Sequence, residues 1–270
     1  MASGISIGSG ILWVLIWFGF MLLYTFLDVA LWRKAAPKYE PYLNVITISL
    51  GIFVYVSLLT RNTQYKVDLF QNVSFLGILI AIGCAILLYF LLDKGLDPVF
   101  EKAFPTSEES YQETLQSLSK SPIMTLLQVC ILAPAIEEIL MRGYLLQGLS
   151  ASYGPIFALL VSSLLFALLH FNKVQTLSAF VCGIALGLLY LQTHSIFCCI
   201  LAHAGYNLIS YVTTIIPLSA RNKKRFSQNF TLQAAAPPCR PPRPRSPQSR
   251  GRDRDALQFR FPKCSQCTAR

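Results

Sequence analysis

Residues 122–149 read PIMTLLQVCILAPAIEEILMRGYLLQGL. The stretch exceeds the ~20 mostly apolar residues that a bilayer-spanning helix needs. Yet it carries Glu137, Glu138 and Arg142, and charges at membrane depth are costly and usually functional. Whether this run is a span or a soluble core helix decides the fold. Composition settles the choice. The 270 residues are 54% hydrophobic and only 13% charged, about half the charge fraction of a soluble domain, which is roughly 25%. Six further apolar runs, at 11–32, 43–59, 73–92, 155–171, 177–191 and 196–218, flank the first. The fold class expected is all-α: a polytopic helical membrane protein with about seven transmembrane helices and a disordered C-terminal tail.

The formal net charge of +10 looks at first like the mark of a nucleic-acid partner. Its location excludes that reading. Residues 1–220 hold 10 Lys and Arg against 11 Asp and Glu, whereas 221–270 hold 13 against 2. The excess lies in a Pro/Arg-rich stretch, AAAPPCRPPRPRSPQSRGRDRD, with no periodic apolar face, and such composition cannot bury a core. Three divisions follow: N-terminal transmembrane helices with a surface helix over 1–120, a membrane core over 121–218 that carries the intramembrane charges, and a basic tail over 219–270. Within the polar stretch 93–121, SEESYQETLQSLSK (107–120) places Tyr111, Leu115 and Leu118 at helical spacing. That predicts an amphipathic helix lying against the bilayer. Basic residues gather on one side of the membrane, at Arg33, Lys34 and Lys38, at Lys94, Lys102 and Lys120, at Lys173, and at Arg221–Arg225, with only Arg61 and Lys66 on the other. The positive-inside bias then sets the N-terminus outside and the C-terminus in the cytoplasm.

Of eight cysteines, Cys84, Cys130, Cys182, Cys198 and Cys199 sit in apolar runs, where a thiol acts as a small hydrophobe. Cys264 and Cys267 form a lone CxxC, too little for a zinc site. Gly183 and Gly187 form GxxxG, a close-packing device.

The intramembrane polar residues fall into pairs. Glu138 and Arg142 are four apart, share a helix face and can form a structural tie. Glu137, rotated by about 100°, is left without a partner in its helix. Phe166 and His170 are also four apart, as are His203 and Asn207. Pro134 removes one ladder hydrogen bond three residues before Glu137 and predicts a kink. Each pair escapes lipid by facing the bundle interior, so three helices converge on a carboxylate, two imidazoles, an amide and an ion pair. A carboxylate with an imidazole can orient and deprotonate a water. A second imidazole and an amide can donate to a tetrahedral oxyanion.

Those residues resemble the three motifs of the CAAX protease and bacteriocin-processing family, which includes the type II CAAX prenyl endopeptidases. EExxxR is similar to Glu137, Glu138 and Arg142 in EEILMR, FxxxH to Phe166 and His170, and HxxxN to His203 and Asn207. The resemblance covers about residues 120–215. It implies a multi-spanning protein that cleaves peptide bonds, with Glu137 and His170 activating water and His203 and Asn207 stabilising the oxyanion. Glu138, Arg142 and Phe166 are then structural support. Some family members have been regarded as metalloproteases, and two His with a Glu are ligand types that Zn²⁺ accepts. No HExxH is present, however, and the candidate ligands lie on three helices. The expectation is therefore no metal and no cofactor. The expected partners are the lipid bilayer and a peptide or protein substrate: a prenylated C-terminus, a bacteriocin leader or a membrane-protein loop. No nucleic acid is expected. The family also contains membrane scaffolds and bacteriocin self-immunity proteins, which keeps a non-catalytic reading open. A transporter is disfavoured, because the two halves show no inverted repeat.

Overall fold

The structure, a computed structural model, describes residues 4–106, 115–116 and 119–220, and among these no strand occurs. Among the described residues, seven apolar helices follow one another: α1 (Ile7–Ala35), α2 (Glu40–Asn62), α3 (Phe75–Ala103), α4 (Pro122–Tyr153), α5 (Pro155–Leu168), α6 (Lys173–Thr193) and α7 (Ile196–Ala220). All but α5 are long and apolar enough to cross a membrane, so the chain is a multi-pass membrane protein. Polar side chains start several of them. Ser6, Ser74, Asn172 and Ser195 each accept a hydrogen bond from a first-turn amide, satisfying donors that have no partner within the helix.

Seven apolar runs thus give six long helices and one short one. Helix α5 has 14 residues, about 21 Å at 1.5 Å per residue, against a hydrocarbon core of about 30 Å. Its start is set by Gly154, whose φ of 87° breaks the chain from α4. Its end is a tight turn: the amides of Leu169 and His170 bond to the carbonyls of Phe166 and Ala167, and Asn172 then caps α6. Helix α3 errs the other way. It runs through Asp93 to Ala103 across a wide, π-type turn at Leu92–Leu96, where a polar connection was expected from residue 93. The surface helix expected over 107–120 lies outside the described residues except at 115–116 and 119–120, and the basic tail from 221 lies wholly outside them.

Helix α4 is the centre of the bundle. Every residue from Ile139 to Leu146 is buried, Arg142 included. Around it, large apolar side chains such as Phe53, Phe75 and Ile156 stay 70–77% exposed. A continuous apolar exterior of that kind is what lipid contact requires. Helices α1 and α2 join through Tyr55, which is fully buried against the rings of Trp13, Trp17 and Phe20 and donates its hydroxyl to the Trp13 carbonyl at 2.9 Å.

Helices α5 and α6 approach through Gly183. A Cβ there would lie 3.0–3.1 Å from Cβ and Cα of Ser163, closer than a helix backbone tolerates without moving. Close approach of this kind drives helix association in lipid, where no hydrophobic effect operates between helices. Gly183→Val should therefore lower the thermal midpoint in detergent, reflecting an overpacking cost of about 1–3 kcal/mol. Gly83 has no atom within 4 Å of the place its Cβ would take, and Gly83→Ala should leave the midpoint unchanged or raise it. A Gly183 variant as stable as the parent would contradict the packing role.

Candidate active site

The site begins with the backbone of α4. Pro134 has no amide hydrogen to offer the ladder, and the helix widens into a π-type turn over Leu126–Leu132 just before it. A second wide turn, Ile139–Leu146, follows the glutamates. Such irregularities often accompany functional residues. Between them Glu137 and Glu138 point in different directions and meet different surroundings.

Glu138 is fully buried. It pairs with Arg142 at 2.9 Å, and the guanidinium is itself 1% exposed. Arg142 Nη2 also donates to the Gly183 carbonyl of α6 at 3.1 Å, and its guanidinium lies 5.0 Å from the centre of the Phe166 ring. The same Glu138 oxygen that binds Arg142 lies 2.8 Å from His203 Nδ1 on α7. A carboxylate oxygen that takes the Arg142 proton acts as an acceptor, so His203 donates from Nδ1. This contact is absent from the spacing argument, which assigned Glu138 to Arg142 alone. Its signal was the unused acceptor capacity of a buried carboxylate facing a bundle that contains few donors.

Glu137 is more accessible, with 22% of its side chain exposed, and its Oε2 lies 3.8 Å from His203 Nε2. His170 sits just past the end of α5. Its ring Nδ1 is 3.1 Å from the Phe166 carbonyl. In a continued helix that oxygen would take the backbone amide of residue 170, but here this amide bonds to Ala167. The ring replaces the missing ladder bond. A carbonyl only accepts, so His170 also carries its proton on Nδ1 when neutral and presents a lone pair at Nε2. Phe166 packs edge-on against both imidazoles, with ring centres 5.0 Å from His170 and 5.8 Å from His203. Asn207 donates from Nδ2 to the Val129 carbonyl of α4 at 2.8 Å. That carbonyl lies in the wide turn before Pro134.

Glu137, Phe166, His170, His203 and Asn207 all line one cavity of about 270 Å³. The three paired motifs therefore come together at a single place, while Glu138 and Arg142 stand behind its wall. Of two acidic residues that sequence reasoning left in a connection, Asp97 lines the cavity and Asp93 holds Tyr206, which lines it. Tyr206 donates its hydroxyl to Asp93 at 2.9 Å, and Ser178 donates to Asp97. These contacts tie the C-terminal part of α3 to α7 and α6. The spacing of Asp93 and Asp97, four apart at the end of an apolar run, was the available signal.

A bound metal would need three convergent ligands with an open position. Among the described residues no three His, Cys, Asp or Glu side chains are grouped to hold one. The side chains lining the cavity offer acid, base and hydrogen-bond-donor chemistry. The enclosed, mostly apolar surroundings strengthen each polar contact made there.

Residues 119–209 match the model of the family described as Rce1-like, type II CAAX prenyl endopeptidase. No curated protein and no solved structure matches the chain. The matched stretch contains all seven of the paired polar and aromatic residues described above. The likeness to that family rests on this segment of the membrane core, about a third of the chain.

Proposed function

We propose that the protein is an intramembrane endopeptidase that hydrolyses a peptide bond with a water activated by Glu137 and His170. The observation that carries this reading is the single cavity lined by Glu137, His170, His203 and Asn207 from two helices and one helix end. Glu137 takes a proton from the water as its oxygen attacks the scissile carbonyl carbon, while the Nε2 lone pair of His170 orients it. The carbonyl oxygen becomes an oxyanion facing His203 and Asn207. One Nδ2 proton of Asn207 is committed to Val129, and the second remains to donate. His203, already donating from Nδ1 to Glu138, donates from Nε2 in its protonated form. Arg142 and that imidazolium then balance Glu137 and Glu138, so the cluster is neutral overall. Collapse of the intermediate breaks the C–N bond, and the proton held by Glu137 passes to the leaving amine.

The substrate is a peptide or protein segment within or at the bilayer. The family match favours a CAAX-type, prenylated C-terminus over a bacteriocin leader. Residues 121–218 form the catalytic core, with 1–120 as supporting helices and 219–270 as an appended tail. Counting α5 with the turn at 169–172 as a short crossing beside the six long helices makes the number of crossings odd. The N-terminus is then outside and the C-terminus cytoplasmic, with the basic segments on the cytoplasmic side.

Cleavage of a prenylated peptide by the purified protein in detergent tests the mechanism. Glu137→Gln and His170→Ala should each lower kcat by about 10²–10⁴, the usual contribution of a positioned base. Full activity in either variant would sink the mechanism. Bacteriocin protection or scaffolding that survives Glu137→Gln, with no cleavage by the parent protein, would establish the non-catalytic reading instead.

Asn207→Ala should lower kcat by about 10²–10³ with little change in KM, because an oxyanion donor acts in the transition state. Activity should also persist after treatment with a tight chelator. Loss on chelation with recovery on adding Zn²⁺ would overturn the metal-free mechanism.

A further inference from the structure

The cavity that receives Glu137, His170, His203 and Asn207 continues past them along α7, where Ser210 and Thr214 also border it. Asn207, Ser210 and Thr214 stand three and then four apart and so share one helix face. From Asn207 to Thr214 that face rises about 10 Å, roughly the length of three residues of extended peptide. Tyr211 donates its hydroxyl to the Pro122 carbonyl at 2.7 Å, which fixes this part of α7 against the start of α4. Gln175, near the start of α6, brings a side-chain amide to the same cavity.

A hydroxyl within a helix can satisfy itself on a carbonyl of the preceding turn. Ser49, Thr60 and Thr193 do so in this chain. Thr213 does so as well: it is exposed on α7 and donates to the carbonyls of Ile209 and Ser210. Ser210 and Thr214, which face the cavity, make no such bond, and their hydroxyls have no partner among the described residues. Nor are they shut away. Ser150 and Ser163 hold unpartnered hydroxyls that are sealed inside the protein, whereas those of Ser210 and Thr214 are not sealed. Uncommitted polar groups on the wall of a partly apolar cavity favour an occupant that hydrogen-bonds. A peptide main chain carries a donor and an acceptor at each residue, and a hydroxyl or a carboxamide can meet either.

We propose that Ser210 and Thr214, with Gln175, hold the substrate main chain extended along α7 beside the scissile bond. The inference rests on the proposed hydrolysis, which makes the occupant a peptide. Asn207 faces the scissile carbonyl at one end, and the two hydroxyls bond main-chain groups successively further from it. Contacts to the main chain set the register of the substrate without reading its side chains. They are made equally before and during the reaction, so they govern KM and leave kcat alone.

The test is cleavage of a prenylated peptide by the full chain in detergent. Ser210→Ala and Thr214→Val should each raise KM about threefold to tenfold with kcat unchanged, the loss of one hydrogen bond. Thr213→Val removes the neighbouring exposed hydroxyl and should change neither constant. Replacing one peptide bond of the substrate by an ester removes a main-chain N–H and weakens a carbonyl acceptor. Beside the scissile bond this change should raise KM for the parent, but it should add nothing in the double variant Ser210→Ala, Thr214→Val. Affinity of the Glu137→Gln protein for the same peptide reads these contacts without cleavage. A parent that cleaves nothing, while affinity still falls when the hydroxyls are removed, would end the hydrolytic mechanism and leave the main-chain contacts standing. An unchanged or lower KM in both hydroxyl variants would overturn the proposal. So would an equal effect of Thr213→Val, a fall in kcat without a rise in KM, or a full ester penalty in the double variant.

Discussion

The ion pair between Glu138 and Arg142 sets the terms for the rest of the bundle. Two charges at 0% and 1% exposure depend on the partners they keep, because desolvation otherwise exceeds the attraction between them; Glu138 Oε1 takes both of its contacts, while Oε2 has no partner among the described residues. Arg142 meets Glu138 within α4, the Gly183 carbonyl of α6 and the face of Phe166 on α5. Glu138 in turn accepts from His203 of α7. One pair thereby fixes the mutual positions of four helices. Gly183 has to lack a side chain for its carbonyl to come within reach, and Phe166 has to present a ring face. Removing either member of such a pair typically costs about 3–5 kcal/mol, since the other is left buried and uncompensated.

The polar residues of the site also depend on departures from regular helix. Asn207 binds the carbonyl of Val129, which lies in the wide turn preceding Pro134. A regular ladder would commit more of that segment's carbonyls within α4. His170 holds its ring against the Phe166 carbonyl because α5 ends there and frees that oxygen from the amide of residue 170. In both cases an interrupted backbone ladder supplies the acceptor that orients a side chain. Irregular backbone at membrane depth is tolerated because neighbouring helices satisfy the freed groups.

Much of this was legible from residue spacing. The apolar runs mark all seven helices, and positions four apart identify which polar residues share a face, so Glu138 with Arg142 follows from helix geometry, whereas Phe166 meets His170 although His170 lies past the end of α5. The lengths of α3 and α5 did not follow. Hydropathy ends a run at the first charges, yet Asp93 and Asp97 continue α3 because Tyr206 and Ser178 give their carboxylates donors inside the protein. Conversely, Leu169 and Phe171 are apolar but lie in a turn. Partners that are backbone carbonyls, such as those of Val129 and Gly183, carry no residue-type signature. The double role of Glu138 was hidden for a related reason: spacing along one helix says nothing about a donor arriving from another.

The two adjacent glutamates show how a single helix can separate holding from reacting. They differ by one position, hence by about 100° around the axis, and that rotation sends one behind the cavity wall and the other to its surface. Glu138, fully enclosed and engaged by Arg142 and His203, is immobilised by its contacts. Glu137, with 22% of its side chain exposed, faces the cavity that also receives His170, His203 and Asn207. A carboxylate cannot serve both ends, because the hydrogen bonds that hold it still are those a water or substrate would need. The pair of adjacent acids resolves that conflict. His203 links the two, taking its orientation from Glu138 through Nδ1 and turning Nε2 toward Glu137 at 3.8 Å. The position of the proposed chemistry is therefore transmitted from the ion pair through one imidazole ring, which couples the stability of the core directly to the geometry of the cavity.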